Sequence, residues 1–211
     1  SGKPLNEGID GIYTYAGFNE VFLGEALGVA RRIQSESWVL GDKAPQVQSE
    51  VALLAIARDV LDIYYTDYIA RYEGLLGDLD IVPMQSIAQA VEVTGVLAGS
   101  TSPIFNVLNA VAEETRLTEN RSIVPTAAIN EGVSAVANLE IKSALNVQAQ
   151  AFLNALQSAE TTGGAAPRPP GAAVEERFRW LQELVVRPDG QASTLDDVML
   201  NLAEVNREMS K

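Results

Sequence analysis

Five aspartates in and just after one helical stretch are the first candidates for metal binding or acid–base chemistry. Carboxylates spaced along a helix can bind a hard cation such as calcium or magnesium, or transfer protons. A solvated helix face explains them better, because arginine and threonine alternate with Asp59 and Asp62, and Arg58 can pair with Asp62. The last two aspartates lack the other ligands of a calcium loop. The set is Asp59, Asp62, Asp67, Asp78 and Asp80.

Four tyrosines on the same stretch could in principle stack a planar ligand. At helical spacing, tyrosines usually belong to a core, with the hydroxyl groups reaching the surface. We therefore interpret the four as core residues. They are Tyr64, Tyr65, Tyr68 and Tyr72.

Several other kinds of catalytic site are excluded because the residue types that they require are absent from the sequence. The sequence contains no histidine and no cysteine, which excludes Ser-His-Asp and Cys-His catalysis, thiolate metal sites and nearly every catalytic zinc site. No G-x-x-x-x-G-K-[ST] phosphate loop is present, and Gly163-Gly164 is not followed by Lys-Ser. The sequence therefore predicts a protein that is not an enzyme, with no catalytic, cofactor-binding or metal-binding residues and no cofactor.

The charge and the hydropathy of the chain narrow the classes of partner. A net charge of −13 argues against nucleic acid and anionic lipid, which both require a basic surface. No apolar run approaches the roughly 20 residues of a membrane span, so we expect no direct membrane insertion. The chain starts Ser1-Gly2 without methionine, which suggests a cloning remnant on a fragment of a larger protein.

One long helix is the element that must position these residues. From Gln48 to Leu79, apolar and aromatic residues recur every three or four positions with no proline inside, as on one face of a helix. A second apolar stripe, which includes Ile63, predicts burial on two sides in the first half. Asp59, Asp62 and other residues opposite should face water. The sequence predicts a central helix over 48–79.

Shorter helices are predicted on both sides of it. Thr14 is expected to cap a helix that ends near Ser37. After the central helix, Pro83 is expected to begin another helix. Ser102 is expected to cap a further helix, whose first residue is Pro103. Further helices are expected at 126–159 and 173–186, and one with Thr194 as N-cap and Asp197 as its capping-box partner. The fold class is therefore all-α, an elongated multi-helix bundle around one long central helix.

The chain divides into three predicted parts. Residues 1–159 form the main helical domain, 160–172 a Gly- and Pro-rich flexible loop that folding does not require, and 173–211 a C-terminal helical hairpin that packs on the main body. Trp38, just before the link to the central helix, is expected to pin two helices together; the alternative is an exposed anchor for another subunit. As a buried aromatic it would cost roughly 3–5 kcal/mol to truncate to alanine.

Several motifs in one order resemble the TssM (IcmF) family of type VI secretion inner-membrane proteins, in its periplasmic helical region. The resemblance is good over 12–117 and looser over 173–209, whereas 118–172 match nothing in particular. Tyr72 departs from the pattern, where tryptophan is more usual. The motifs are Tyr13-Thr14-Tyr15-Ala16-Gly17-Phe18, Trp38-Val39-Leu40-Gly41, Tyr64 with Asp67 and Tyr68, Leu75-Leu76-Gly77-Asp78-Leu79, Pro83, Ser102-Pro103, Leu108, Thr115, Leu117 and Leu195-Asp196-Asp197.

The resemblance implies a structural role and no reaction. It implies a periplasmic portion of a bacterial inner-membrane protein and a scaffold of the envelope-spanning secretion complex. Through the full-length parent, the partners would be other TssM protomers, a TssJ-like outer-membrane lipoprotein and a TssL-like inner-membrane protein. The β-rich domain that grips TssJ, the membrane spans and the cytoplasmic nucleotide-binding-like domain of the family are expected to be absent from this chain.

Two alternatives from other functional classes remain open at this point. One is a free-standing helical adaptor that binds a partner helix in a groove, outside any secretion system. Neighbouring genes for sheath, tube and lipoprotein would favour secretion over this alternative. The other is a carboxylate-based metalloenzyme, which the missing histidine disfavours and which calorimetry with calcium, magnesium and manganese would test.

Overall fold

Helices are the only regular elements in the part of the chain that the structure describes. A computed structural model describes residues 8–35, 50–99, 101–119, 121, 168–187 and 191–211. A 3₁₀ turn, Gly11–Tyr13, and a π-helical segment, Gly17–Phe22, precede the first α-helix. The α-helices are α1 Leu23–Ser35, α2 Glu50–Gly77, α3 Ile87–Ala98, α4 Pro103–Glu114, α5 Ala172–Arg177, α6 Arg179–Val185 and α7 Thr194–Met209. The predicted all-α class is confirmed.

The predicted central helix corresponds to α2, which runs for 28 residues. Its inner face carries Leu61, Tyr64, Tyr68 and Tyr72, which are all buried. The expectation of a second buried stripe is wrong at Ile63, which is 64% exposed. The N-terminal segment, α1 and α5 pack against α2, and the end of α4 also contacts it at Tyr68.

The N-terminal helix begins as predicted and then continues as a π-helical segment. The backbone N–H of Gly17 donates to Thr14 Oγ1 at 3.0 Å, which confirms Thr14 as the cap. The backbone then makes the wider i→i+5 turns of a π-helix, and the Leu23 N–H donates to the Phe18 carbonyl. Phe18 is fully buried, whereas Val21 is 51% exposed.

Two of the predicted helix starts are in different places. Pro83 and Met84 lie in extended chain, and α3 begins after Ser86, whose side chain accepts from the Gln89 N–H. Ile87 is therefore at the exposed entrance of the helix and not in the core. The N-cap of α7 is Ser193 rather than Thr194, and Asp196 rather than Asp197 completes the capping box. The cap of α4 by Ser102 is confirmed.

The C-terminal helices attach to different parts of the body. The predicted helix over 173–186 is broken at Phe178 into α5, which packs on α2, and α6, which packs on α4. Phe178 is buried between them. α7 pairs with α3, and Asn206 Nδ2 donates to the Val91 carbonyl at 2.5 Å and to Thr94 Oγ1 at 2.8 Å. Only one face of α7 is covered, so Val198 and Val205 are about half-exposed.

The end of the predicted flexible segment is anchored to the core. Of 160–172, only residues from 168 onward are described. Gly171 has φ +87°, its N–H donates to Tyr65 Oη at 2.8 Å, and a Cβ placed there would lie 2.5 Å from the Cβ of Leu117. The chain therefore needs glycine at this point, and the prediction that folding does not require the segment concerns residues outside the described part up to 167. Trp38 and the predicted helix at 126–159 lie outside the described residues.

The start of α7 gives a testable pH dependence. The Asp196 carboxylate accepts two hydrogen bonds from the Arg187 guanidinium, at 2.8 and 2.9 Å, and one from the Ser193 N–H. These hydrogen bonds hold the pKa of the Asp196 carboxyl well below its usual range. A carboxyl whose pKa is lower in the folded state stabilises the fold above its unfolded pKa of about 4 and loses this contribution on further acidification.

We therefore expect Asp196→Asn to make the unfolding midpoint less dependent on pH below about 4 than in the parent chain. Thermal unfolding followed by circular dichroism between pH 2.5 and 7 measures this difference. Asp197→Asn is the matched control, because the Asp197 side chain is exposed and takes no part in the capping box. Equal acid sensitivity of the Asp196→Asn variant and the parent would contradict the expectation.

Candidate functional site

Three tyrosines of α2 donate their hydroxyl groups to backbone carbonyls of other segments. Tyr64 Oη donates to the Ile12 carbonyl at 2.6 Å and Tyr72 Oη to the Tyr13 carbonyl at 2.8 Å. Tyr68 Oη donates to the Glu114 carbonyl at 2.8 Å. Ile12 and Tyr13 lie before the first full helix, and Glu114 ends α4, so α-helical hydrogen bonding leaves their carbonyls free. Each hydroxyl therefore satisfies a backbone acceptor that helical hydrogen bonding leaves free.

The core interpretation of the tyrosines is confirmed, but their hydroxyls do not reach the surface as expected. Tyr68 is completely buried, and Tyr64 and Tyr72 nearly so. Tyr65 is partly buried, and its hydroxyl accepts the Gly171 N–H. The sequence places the rings on one helix face but contains no signal for the carbonyls that they reach, since these come from distant segments.

The rings form a continuous aromatic stack between the N-terminal segment and α2. Phe22 lies 3.7 Å from Tyr64, centroid to centroid and nearly parallel, and Tyr13 stacks on the same ring at 5.4 Å. Tyr68 stacks on Tyr72 at 5.0 Å. Such pairs contribute about 0.5–1.5 kcal/mol each beyond the area that they bury. We call these rings, with Phe18, Phe178 and their hydroxyl contacts, the tyrosine cluster.

Burial keeps these phenols in their neutral, donating form. Removal from water is the main cause that raises the pKa of Tyr64, Tyr68 and Tyr72 well above the usual value near 10. The hydroxyl hydrogens are therefore retained at any physiological pH. Groups held in this state act as structural donors rather than as proton acceptors in catalysis.

The segment Tyr13–Phe18 fits against the cluster with little free space. A Cβ on Gly17 would lie 2.0 Å from the Gly11 carbonyl oxygen and 2.7 Å from the Ile12 Cα. The Tyr15 N–H donates to the Glu114 carboxylate at 2.6 Å, and its hydroxyl donates to the Glu119 carbonyl at 2.5 Å. This motif therefore joins the start of the chain to α2 and to the end of α4.

The five candidate aspartates face water, as the sequence predicted. Three of them are spread along α2, and Asp78 and Asp80 lie in the loop after it. In the described part of the chain, no group of three or more acidic side chains is close enough together to hold a metal ion. Within the same ranges, no helix is both long and apolar enough to cross a membrane.

Sequence reasoning missed one cavity, of about 630 Å³, between the end of α4, the helices α5 and α6, and the start of α7. Arg116, Arg179 and the largely buried Gln182 contribute to its wall. The three residues are more than sixty positions apart at the extremes, and no motif connects them. Only the folded arrangement brings them together.

The first 116 residues, which carry the N-terminal motif, α2, α3 and α4, match a family model. The family is described as IcmF-related, "Intracellular multiplication and human macrophage-killing". More than half of the chain is matched. The chain belongs to this family. The matched range agrees closely with the 12–117 in which the sequence motifs resemble TssM (IcmF) proteins, so that prediction is confirmed.

A curated relative supports the same conclusion. The chain is 41% identical over 124 residues to the "Type VI secretion system component TssM1" of Pseudomonas aeruginosa. The aligned part is 59% of this chain and 11% of the relative, so the chain corresponds to a small part of that protein's length. No solved structure matches the chain.

Proposed function

We propose that this chain is a structural part of a TssM-like component of a type VI secretion system, and that it contributes to assembly rather than to catalysis. The observation that carries the proposal is the family match over residues 1–116, together with a relative that is named as a secretion component. The type VI secretion role is inferred from that relative, and the aligned part of this chain corresponds to 11% of the relative's length.

The chemistry of the matched region supports a scaffold role. The buried hydroxyl groups of Tyr64 and Tyr68 donate to backbone carbonyls. The buried aromatic rings pack against one another. Described carboxylates form ion pairs, such as Asp10 with Arg71, or accept a backbone N–H, as Glu114 does from Tyr15. This distribution favours holding segments together over binding a substrate.

The location and partners in the proposal are those of the family. The chain is proposed to lie in the periplasm as part of an inner-membrane protein. Its proposed neighbours in the full-length parent are other protomers, a TssJ-like lipoprotein and a TssL-like membrane protein. A free-standing helical adaptor is the competing function, and it predicts none of these neighbours.

Site-specific crosslinking in the full-length parent tests the proposal. A photoreactive amino acid is placed at an exposed apolar position, such as Val82 or Ile87, which are 64% and 73% exposed. We expect covalent adducts with another protomer or with a secretion partner in cells that carry the whole system. Tyr68 is the control position, because it is completely buried and should give no intermolecular adduct.

Topology can be measured in the same strain. This chain contains no cysteine, so a cysteine introduced at Asp59 or Asp67 provides a defined exposed thiol within it. A membrane-impermeant maleimide should label it in intact cells once the outer membrane is permeabilised. Labelling only after lysis of the inner membrane, or an absence of adducts with any secretion component, would contradict the proposal.

A further inference from the structure

An apolar groove lies between the segment that follows α2 and the helices α3 and α4. Its volume is about 530 Å³, within the roughly 300–1,000 Å³ of pockets that bind ligands. On one side of it, Ile81 and Val82 are 45% and 64% exposed. With the exception of Asp80, the described wall consists of apolar residues, which are Leu79, Ile81, Val82, Val93, Leu97, Pro103, Ile104 and Val107.

The walls of the groove are held in place by local constraints. Pro83 has a fixed φ and disfavours helical backbone at Val82, and Asp80 Oδ1 accepts the Ile81 N–H at 2.8 Å. On the opposite side, Asn206 of α7 holds α3 through the Val91 carbonyl. The groove therefore exists without an occupant, and binding would require little rearrangement of the protein.

The charged residues around the groove are acidic. No lysine or arginine occurs between Arg71 and Arg116, the range that contains the segment after α2, α3 and α4. Asp78 and Asp80 precede the exposed apolar pair, and Glu92 is exposed on α3. In the described part of the chain, none of these three carboxylates makes an ion pair. The rim of the groove therefore has a negative potential that no cation of the protein balances there.

We propose that this groove binds a segment of a partner protein in which apolar side chains stand beside lysine or arginine. The apolar side chains would enter the groove, and the basic groups would face Asp80 and the other carboxylates of the rim. Such complementary charges set the rate of association and the choice of partner more than the affinity. The proposal does not rest on the secretion role proposed above.

The same charges argue against two other occupants. A second copy of this chain would bring a further net charge of −13 to the rim, and like charges across an interface are unfavourable. Anionic lipid headgroups are repelled for the same reason, since membrane surfaces attract basic segments. Exposed apolar surface with a polar rim is otherwise typical of a protein interaction site.

Selection from a peptide library tests the chemistry of the partner. Phage-displayed random peptides are panned on the 211-residue chain at low ionic strength, where surface charges are least screened. We expect the recovered peptides to combine apolar residues with lysine or arginine, and to contain these more often than aspartate or glutamate. Fluorescence anisotropy of a labelled peptide then gives its affinity for each variant.

Two variants test the groove itself. Val82→Ser should weaken binding of a selected peptide roughly tenfold, because it removes apolar surface that the peptide would cover. Asp80→Lys should weaken binding about threefold or more, and should strengthen binding of the same peptide with its basic residues replaced by glutamate. General damage to the fold would not produce this exchange of preference.

Matched controls separate the groove from the rest of the acidic surface. Leu200 is 65% exposed, nearly the same as Val82, but lies on α7 and outside the groove wall. Asp67 is exposed on α2, also outside it. Leu200→Ser and Asp67→Lys should therefore bind the peptide like the parent chain, and Val82→Ser should keep the unfolding midpoint of the parent.

Several results would overturn the proposal. One is a selection that recovers no peptide, or peptides without an excess of basic residues. Another is equal binding by Val82→Ser and Leu200→Ser, or by Asp80→Lys and Asp67→Lys. A midpoint lowered by several degrees in Val82→Ser would mean that the chain itself covers the groove. A dimer in sedimentation that Val82→Ser dissociates would make the occupant a second copy.

Discussion

Gly17→Ala is expected to destabilise the chain by about 3 kcal/mol, the upper part of the range for overpacked sites. The added methyl group would lie 2.0 Å from the Gly11 carbonyl oxygen and 2.8 Å from the Ile12 carbonyl carbon. These are backbone atoms that hydrogen bonds from Tyr64 and Thr14 hold in place, so the neighbouring chain cannot yield as a flexible side chain would. The clash should separate the N-terminal segment from α2.

Gly74→Ala is the matched control for this substitution. Gly74 lies inside α2, and a Cβ there meets no atom within 4 Å. Alanine should therefore stabilise the helix, by roughly 0.5–1 kcal/mol. Urea denaturation of both variants measures the difference, and a Gly17→Ala variant as stable as the parent would show that Gly17 is not packed against the 3₁₀ turn.

Tyr68→Ala is expected to cost roughly 3–5 kcal/mol, as for other buried aromatics truncated to alanine. The side chain is completely buried, stacks on Tyr72, and its hydroxyl satisfies the Glu114 carbonyl at the end of α4. Its loss would leave a cavity and an unpaired acceptor together. Because folded domains are stable by only about 5–15 kcal/mol, much of the stability depends on this one residue.

Ile63→Ala provides the comparison on the same helix. Ile63 is 64% exposed, so this change should alter stability by no more than about 0.5 kcal/mol. Tyr68→Phe separates the two contributions, since it keeps the ring and removes only the hydroxyl. Equal urea midpoints for Tyr68→Ala and Ile63→Ala would contradict the buried position of Tyr68.

The helical elements could be predicted from the sequence because local patterns determine them. The apolar spacing of α2 and the Ser102-Pro103 start of α4 depend on residues close to one another in the chain. The resemblance to the family followed from motif order and was confirmed over 1–116. Errors arose where two candidate caps stood side by side, as with Ser193 and Thr194, because both residue types cap helices well.

The partners of the tyrosine cluster could not be predicted in the same way. The bonds from Tyr64 to Ile12 and from Tyr68 to Glu114 connect positions 52 and 46 residues apart. The acceptors are backbone carbonyls, which every residue type carries, so the sequence marks none of them. Likewise, the sequence does not show that Ile63 is exposed, because its exposure depends on which distant elements pack against α2.

The central claim is that the tyrosine cluster makes the N-terminal segment an integral part of the core. Native-state hydrogen exchange tests it directly, because it measures the opening free energy of each segment. We predict that amides of Phe18 and Leu23 open with the same free energy as those of α2 between Ala57 and Tyr72. An opening free energy for the N-terminal segment that is lower by more than about 2 kcal/mol, with α2 still protected, would contradict the claim.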